Sequence, residues 1–259
     1  MGNNASLNRR ELWFTELDSG RTEPLLPGFP IGTSPVEAGY DISPDGRQVV
    51  VEARDSEGKP RLWVAPIDRR SPPRPIPNVE ADGPVFGPDG EVFFRAREGT
   101  YGFAYRVRVD GTGLRKAVEP AVIGTRAVSR DGRWLVTYSR ANEERAGATL
   151  AFLLGGGPPI RISGPGGTPK WSMDGRFLFL SLASTSYSGR TGNTYVLPLR
   201  SGKVFPEIAA GAFPTEAEIA RLPGVRVIGS PDVAPGPTPG VYAFSRERVQ
   251  RNLYRIPLP

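Results

Sequence analysis

The chain has 259 residues, 38% of them hydrophobic, and its 32 glycines and 28 prolines lie between regular apolar runs, a pattern of a turn-rich β protein more than of disorder. It contains no histidine and no cysteine, which excludes Ser-His-Asp and Cys-His catalysis, histidine-based zinc sites and disulfides within this chain. The net charge is +6, and apart from Lys59, Lys116, Lys170 and Lys203 every basic residue is arginine; guanidinium suits phosphate or carboxylate partners, yet no dense basic run occurs, so a solvated surface is favoured and a nucleic-acid partner is not expected.

Residues 1–10 are expected to be a disordered N-terminal segment, and residues 11–259 a single domain. No stretch reaches the roughly 18 apolar residues of a membrane span, and the start lacks a basic region followed by an apolar core. The chain as it stands is therefore expected in the cytoplasm, or in the periplasm if it is part of a longer membrane-anchored protein. Residues 12–20 and 23–26 read as two strands that match the third and fourth strands of the repeat that follows.

That repeat begins at Ser43-Pro44-Asp45-Gly46-Arg47 and returns as Gly87-Pro88-Asp89-Gly90-Glu91, Ser129-Arg130-Asp131-Gly132-Arg133 and Ser172-Met173-Asp174-Gly175-Arg176, with steps of 44, 42 and 43 residues between the aspartates. Each phrase is followed by a β-branched or aromatic run, such as Val49-Val50-Val51 or Phe177-Leu178-Phe179-Leu180. Asp-Gly between such runs signals a hairpin, because glycine accepts the positive φ of the turn. A third strand recurs downstream, at residues 62–68, 105–111, 150–155 and 195–199, and short segments such as residues 74–77 and 160–163 form a fourth, where an edge position tolerates proline. A unit of four strands at this period predicts an all-β fold, a β-propeller of four-stranded antiparallel blades. Four complete repeats with partial blades at both ends give five to six blade positions.

After Asp174 the next comparable phrase, Gly229-Ser230-Pro231-Asp232, comes 58 residues later without the glycine. Residues 214–223 in this excess are predicted to form a short helix, with Thr215 as cap, Glu218 reaching back to it and Pro223 as its end. Residues 241–244 and 252–258 resemble second and third strands. Both termini would then offer a third strand, which suggests part of a longer propeller or a shortened one.

Asp45, Asp89, Asp131 and Asp174 could ring an opening and hold a metal or cationic ligand, but a bond to the backbone of their own turn is the favoured role. Asp55-Ser56-Glu57-Gly58 and Asp110-Gly111-Thr112-Gly113 lack the ligand count of a calcium loop. The glycines at 155–157 and 164–167 open no helix and so make no phosphate cradle. Trp13, Trp63, Tyr105, Tyr195 and Tyr254 are expected to fill gaps between blades. The candidate binding surface is Trp171, at the end of an innermost strand, with Thr215, Glu216, Glu218 and Arg221 of the helical insertion, since insertions on a repeat scaffold lie at the surface. No catalytic, cofactor-binding or metal-binding residue is assigned.

The Ser-Pro-Asp-Gly-Arg phrase at 43–47, its three variants and Asp-Gly-Thr-Gly at 110–113 resemble the TolB-like propeller repeats of bacteria over about residues 11–258. The order of segments is similar to the propeller regions that follow the kinase domain in bacterial eukaryotic-like serine/threonine kinases; the kinase domain is absent here, and no catalytic residue carries over. The resemblance implies a noncatalytic module, the sensor or scaffold of a kinase-linked signalling protein, that binds a protein, peptide or small ligand at the channel mouth or the insertion. The alternatives are an accessory propeller of a serine peptidase or hydrolase whose catalytic domain lies elsewhere, and a propeller enzyme acting through carboxylates or arginines.

Overall fold

The computed structural model describes residues 11–16, 18–29, 31–32, 39–139, 147–164, 166–186, 189–207, 213, 215–236 and 240–244. The expectations for residues 1–10, for a strand at 252–258 and for Tyr254 lie outside them. The chain begins with an antiparallel pair, β1 (Trp13–Thr15) and β2 (Thr22–Pro24). Three four-stranded antiparallel sheets follow, each with its strands in chain order. The first holds β3 (Tyr40–Ile42), β4 (Gln48–Arg54), β5 (Pro60–Pro66) and β6 (Arg74–Glu80). The second holds β7 (Asp82–Phe86), β8 (Glu91–Glu98), β9 (Tyr101–Arg108) and β10 (Arg115–Ala121). The third holds β11 (Gly124–Val128), β12 (Trp134–Ser139), β13 (Ala148–Leu153) and β14 (Ile160–Ser163).

These elements belong to one compact unit, Met1–Pro165 with Ile208–Phe213; a second consists of Gly166–Glu207 with Pro214–Pro259. The second unit carries β15 (Gly167–Trp171), β16 (Phe177–Ser186) and β17 (Gly189–Pro198), then the one-turn helix α1 (Glu216–Ile219). β18 (Arg226–Ile228) pairs with β17 and completes a fourth four-stranded sheet, and β19 (Val233–Pro235) pairs with β20 (Tyr242–Phe244). Among the described residues no helix is long and apolar enough to cross a membrane.

The recurring phrase makes the hairpin between the first two strands of each four-stranded sheet. In the first, Asp45 Oδ1 accepts from Ser43 Oγ at 2.6 Å and from the Arg47 N–H at 3.0 Å, while Ser43 Oγ accepts from the Gln48 N–H at 2.9 Å. Gly46 takes the φ of 70° that lets the turn close. Ser129 with Asp131, and Ser172 with Asp174, repeat the arrangement. In the second sheet Gly87 stands for serine, and the turn closes through its backbone N–H to Glu91 O at 2.7 Å.

The second strand of each sheet is covered on both faces, which is why its sequence is a continuous apolar run instead of an alternation. Val49 and Val51 face Leu25, Leu26 and Ile31. Val50 on the opposite face joins Leu62, Ile76, Phe86 and Phe94, a cluster shared by the first and second sheets. Phe93, Leu135, Leu150 and Phe152 make the same kind of layer between the second and third. Polar bonds join neighbouring first strands: Asp41 Oδ2 accepts from the Phe86 N–H at 2.7 Å, and Thr125 Oγ1 donates to Gly83 O.

The comparable phrase Gly229-Ser230-Pro231-Asp232 forms no hairpin of its own. It precedes β19, and the hairpin of that sheet lies between Pro235 and Tyr242. Val233 is fully buried with Phe179 and Val196, and Asp232 pairs with Lys170 at 3.3 Å, so this segment enters the sheet as a first strand. The expected aromatic packing holds for Trp63, edge-on to Phe29 with centroids 5.1 Å apart, and for Tyr105, stacked on Phe94 at 6.1 Å. Trp13 is exposed instead, on a two-stranded sheet.

Candidate functional site

The residues singled out in the sequence fall into two places. Trp171, half-buried at the end of β15, donates from Nε1 to Val204 O at 2.6 Å and meets Phe205 edge-on with centroids 5.8 Å apart. Its indole thus fastens the segment after β17. Thr215 caps α1: its backbone N–H donates to Glu218 Oε2 at 2.7 Å, and Glu218 N–H donates to its hydroxyl oxygen at 3.4 Å, a complete capping box. The bond from the Thr215 hydroxyl keeps the Glu218 carboxyl below its ordinary range. Glu216 Oε1 accepts from the Tyr195 hydroxyl at 2.6 Å and Asn193 Nδ2 at 3.4 Å, and Ile219 is buried beneath the turn. The helix is a single turn within the expected 214–223, extended by the bonds Arg221 N–H to Glu218 O and Leu222 N–H to Ile219 O, both 3.1 Å. Thr215 and Glu218 are therefore engaged in capping the helix and Glu216 in docking it, and Arg221 is exposed.

Among the turn aspartates, Asp45, Asp131 and Asp174 are likewise engaged. The Ser43 hydroxyl and Arg47 N–H hold the Asp45 carboxyl below its ordinary range, and Ser172 with Arg176 does so more strongly for Asp174. Among the described residues no group of three or more acidic side chains converges as a metal site.

A buried polar chain crosses three neighbouring sheets. Asp82 on β7 takes two bonds from Arg95 on β8, at 2.8 and 2.6 Å, and Arg95 also donates to Ile123 O at 3.0 Å. Beside it Glu52 on β4 is 5% exposed and accepts a long 3.4 Å bond from the Gly83 N–H. Burial pushes the Glu52 carboxyl up, and the neighbouring Asp82 charge adds to the shift.

The concave site lies elsewhere in the first unit, where the β1–β2 pair meets the first sheet. Leu25 N–H donates to Leu12 O at 2.8 Å, and a turn from Leu26 to Phe29 follows at 3.1 Å. Opposite, β5 ends at Pro66 and a polar loop, Ile67-Asp68-Arg69-Arg70-Ser71-Pro72-Pro73, leads to β6. Arg69 holds φ at 59°, an uncommon conformation for a side chain with a Cβ. Its guanidinium spans to the other wall, bonding Glu23 and, at 3.4 Å, Pro24 O. That bond to Arg69 keeps the Glu23 carboxyl below its ordinary range.

Two adjoining cavities result, of about 280 and 520 Å³, which share Leu25, Pro66 and Arg69. Leu26, Phe29, Pro72 and Pro73 line the smaller, and Phe14, Arg47, Gln48 and Asp68 the larger. Arg70 on the rim pairs with Asp68 at 3.2 Å while its side chain stays 87% exposed. Sequence reasoning missed this groove. Its signal was the pair Arg69-Arg70 followed by Pro72-Pro73 in a connection between third and fourth strands, read only as dispersed surface charge.

No protein-family model and no curated protein matches the chain. Among solved structures it is similar to TolB from Acinetobacter baumannii, with a TM-score of 0.56 and 14% identity over 74% of this chain and 47% of that one. A putative TolB from Agrobacterium tumefaciens gives a TM-score of 0.50 and 17% identity over 68% of this chain and 65% of that one. The chain spans less than two thirds of either length. At such identities the likeness is one of fold, and together with the repeated four-stranded sheets it establishes the chain as a β-propeller protein.

Proposed function

We propose that the chain is a noncatalytic propeller module that recognises a protein, peptide or small ligand, as the sensor or scaffold part of a kinase-linked signalling protein. The observation that carries the binding role is the pair of adjoining cavities beside β2, with an apolar lining and arginines at the rim. Concave, mainly apolar sites with a few placed polar groups are the usual form of ligand sites. Asp45, Asp131 and Asp174 are already bonded within their own turns, Glu218 within its cap and Glu216 to Tyr195 of β17. The kinase link is supported only by the order of segments in the sequence.

The test fills the groove. Ser71 is exposed at the cavity wall, so Ser71→Trp places an indole there without removing a core contact. The intact chain is expected to capture a reproducible partner that this variant retains about tenfold less, at unchanged circular dichroism and melting temperature. An identical set of partners for both proteins would dismiss the groove.

A further inference from the structure

Resting on that reading of the groove, we infer that its occupant is an extended acidic peptide, in which an apolar side chain enters the smaller cavity beside a carboxylate bound at the arginine rim. The side chains that line the two cavities offer donors far in excess of acceptors. At Pro27, Pro66, Pro72 and Pro73 the backbone has a carbonyl but no N–H, so donation from these walls falls to side chains. Those are three guanidinium groups, Arg47, Arg69 and Arg70, with Gln48 and Ser71, against the single carboxylate of Asp68. Arginine presents five donors in a fixed fork that matches a carboxylate.

The three arginines do not play one role. Arg69 is tied to Glu23 and Pro24 and holds the two walls together. Among the described residues Arg70 is tied to Asp68, in an exposed pair of the kind that contributes little. Arg47 lies exposed in the hairpin turn of the first sheet, its backbone N–H given to Asp45 and its carbonyl to the Ile67 N–H at 2.9 Å. Arg47 and Arg70 are thus the groups that meet a ligand carboxylate, Arg70 at the smaller cavity with Leu25, Leu26 and Phe29, and Arg47 at the larger. A groove open along two adjoining cavities suits a chain laid along it, whose alternate side chains face the wall.

The test selects nonapeptides from a random display library on the intact chain and counter-selects on Ser71→Trp. Enriched sequences are expected to carry Asp or Glu within two positions of Leu, Ile or Phe. As labelled peptides they should bind about tenfold more weakly to Arg47→Glu and Arg70→Glu, and to weaken as salt rises from about 50 to 500 mM. Glutamine analogues should lose the salt dependence. Groove-dependent sequences without acidic residues would overturn the inference and leave the groove as a binding site. Failure to enrich any groove-dependent peptide would overturn it as well, while the partner capture described above separately decides the groove. Displacement of the peptides by an equimolar oligothymidylate would assign the arginines to phosphates instead and also overturn it.

Discussion

On β4, three valines lead into Glu52, and among the described residues its carboxylate receives one bond, the 3.4 Å contact from the Gly83 N–H. Burial raises its proton affinity above the ordinary value of 4.5. Between that value and the raised one the folded protein holds more proton than the unfolded chain, so this group's contribution to stability falls as pH rises through the window and is flat above it. Arg54 and Arg95 oppose the shift and Asp82 adds to it. Glu52→Gln keeps an acceptor for Gly83 and removes the charge. It is expected to be more stable than the parent by about 1 kcal/mol at neutral pH, with a difference that shrinks towards pH 4; urea midpoints from pH 4 to 8 check both. Asp45 and Asp174 behave oppositely. Their carboxylates are held below the ordinary range by serine hydroxyls and backbone N–H groups, so their contribution is lost as pH falls. Asp45→Ala and Asp174→Ala should lower the urea midpoint more than Asp89→Ala, because Gly87 gives Asp89 no serine partner; equal losses in all three would remove the serine from the explanation.

At the scale of elements, the insertion separates what local sequence specifies from what it does not. Thr215 and Glu218 are three residues apart, and the capping box they form was legible from that spacing. The docking of α1 was not, since Glu216 meets Tyr195 on β17 and Ile219 is buried, neither of which a local pattern marks. Thr215→Ala is expected to cost about 1 kcal/mol and Ile219→Ala about 2 to 3 kcal/mol, while Arg221→Glu leaves the melting temperature unchanged. A smaller loss at Ile219 than at Thr215 would mean that the turn is held by its cap and not by its packing. The place of Ser230-Pro231-Asp232 was hidden for the same reason: its composition is turn-like, whereas the burial of Val233 decides that it enters a first strand. β18, which follows the insertion, was hidden by it.

For the whole molecule, the period of the Asp-Gly phrase made the repeated four-stranded sheets legible, because each turn closes within itself. The groove was not legible, since it joins Leu25 and Phe29 to Pro66 and Arg70 across about 40 residues of chain. The cores, too, are shared and not private: Phe94 of the second sheet packs in one cluster with Val50, Leu62 and Ile76 of the first. Phe94→Ala is expected to cost about 3 to 4 kcal/mol. Its effect should reach amides of β5 as well as β9 in hydrogen exchange; protection lost in the second sheet alone would show that the sheets open separately.

The self-contained turn also bears on how the chain finds its fold. The Ser43, Ser129 and Ser172 hairpins are each fastened by bonds spanning no more than five residues, so each is a low-cost place for folding to start, before any two sheets have met. The second hairpin, where Gly87 replaces serine, has fewer such fasteners. Its Pro88 lies against Gly132 of the next turn. Folding is then expected to have several starting points and one follower, the sheet on whose faces two of the shared cores are built.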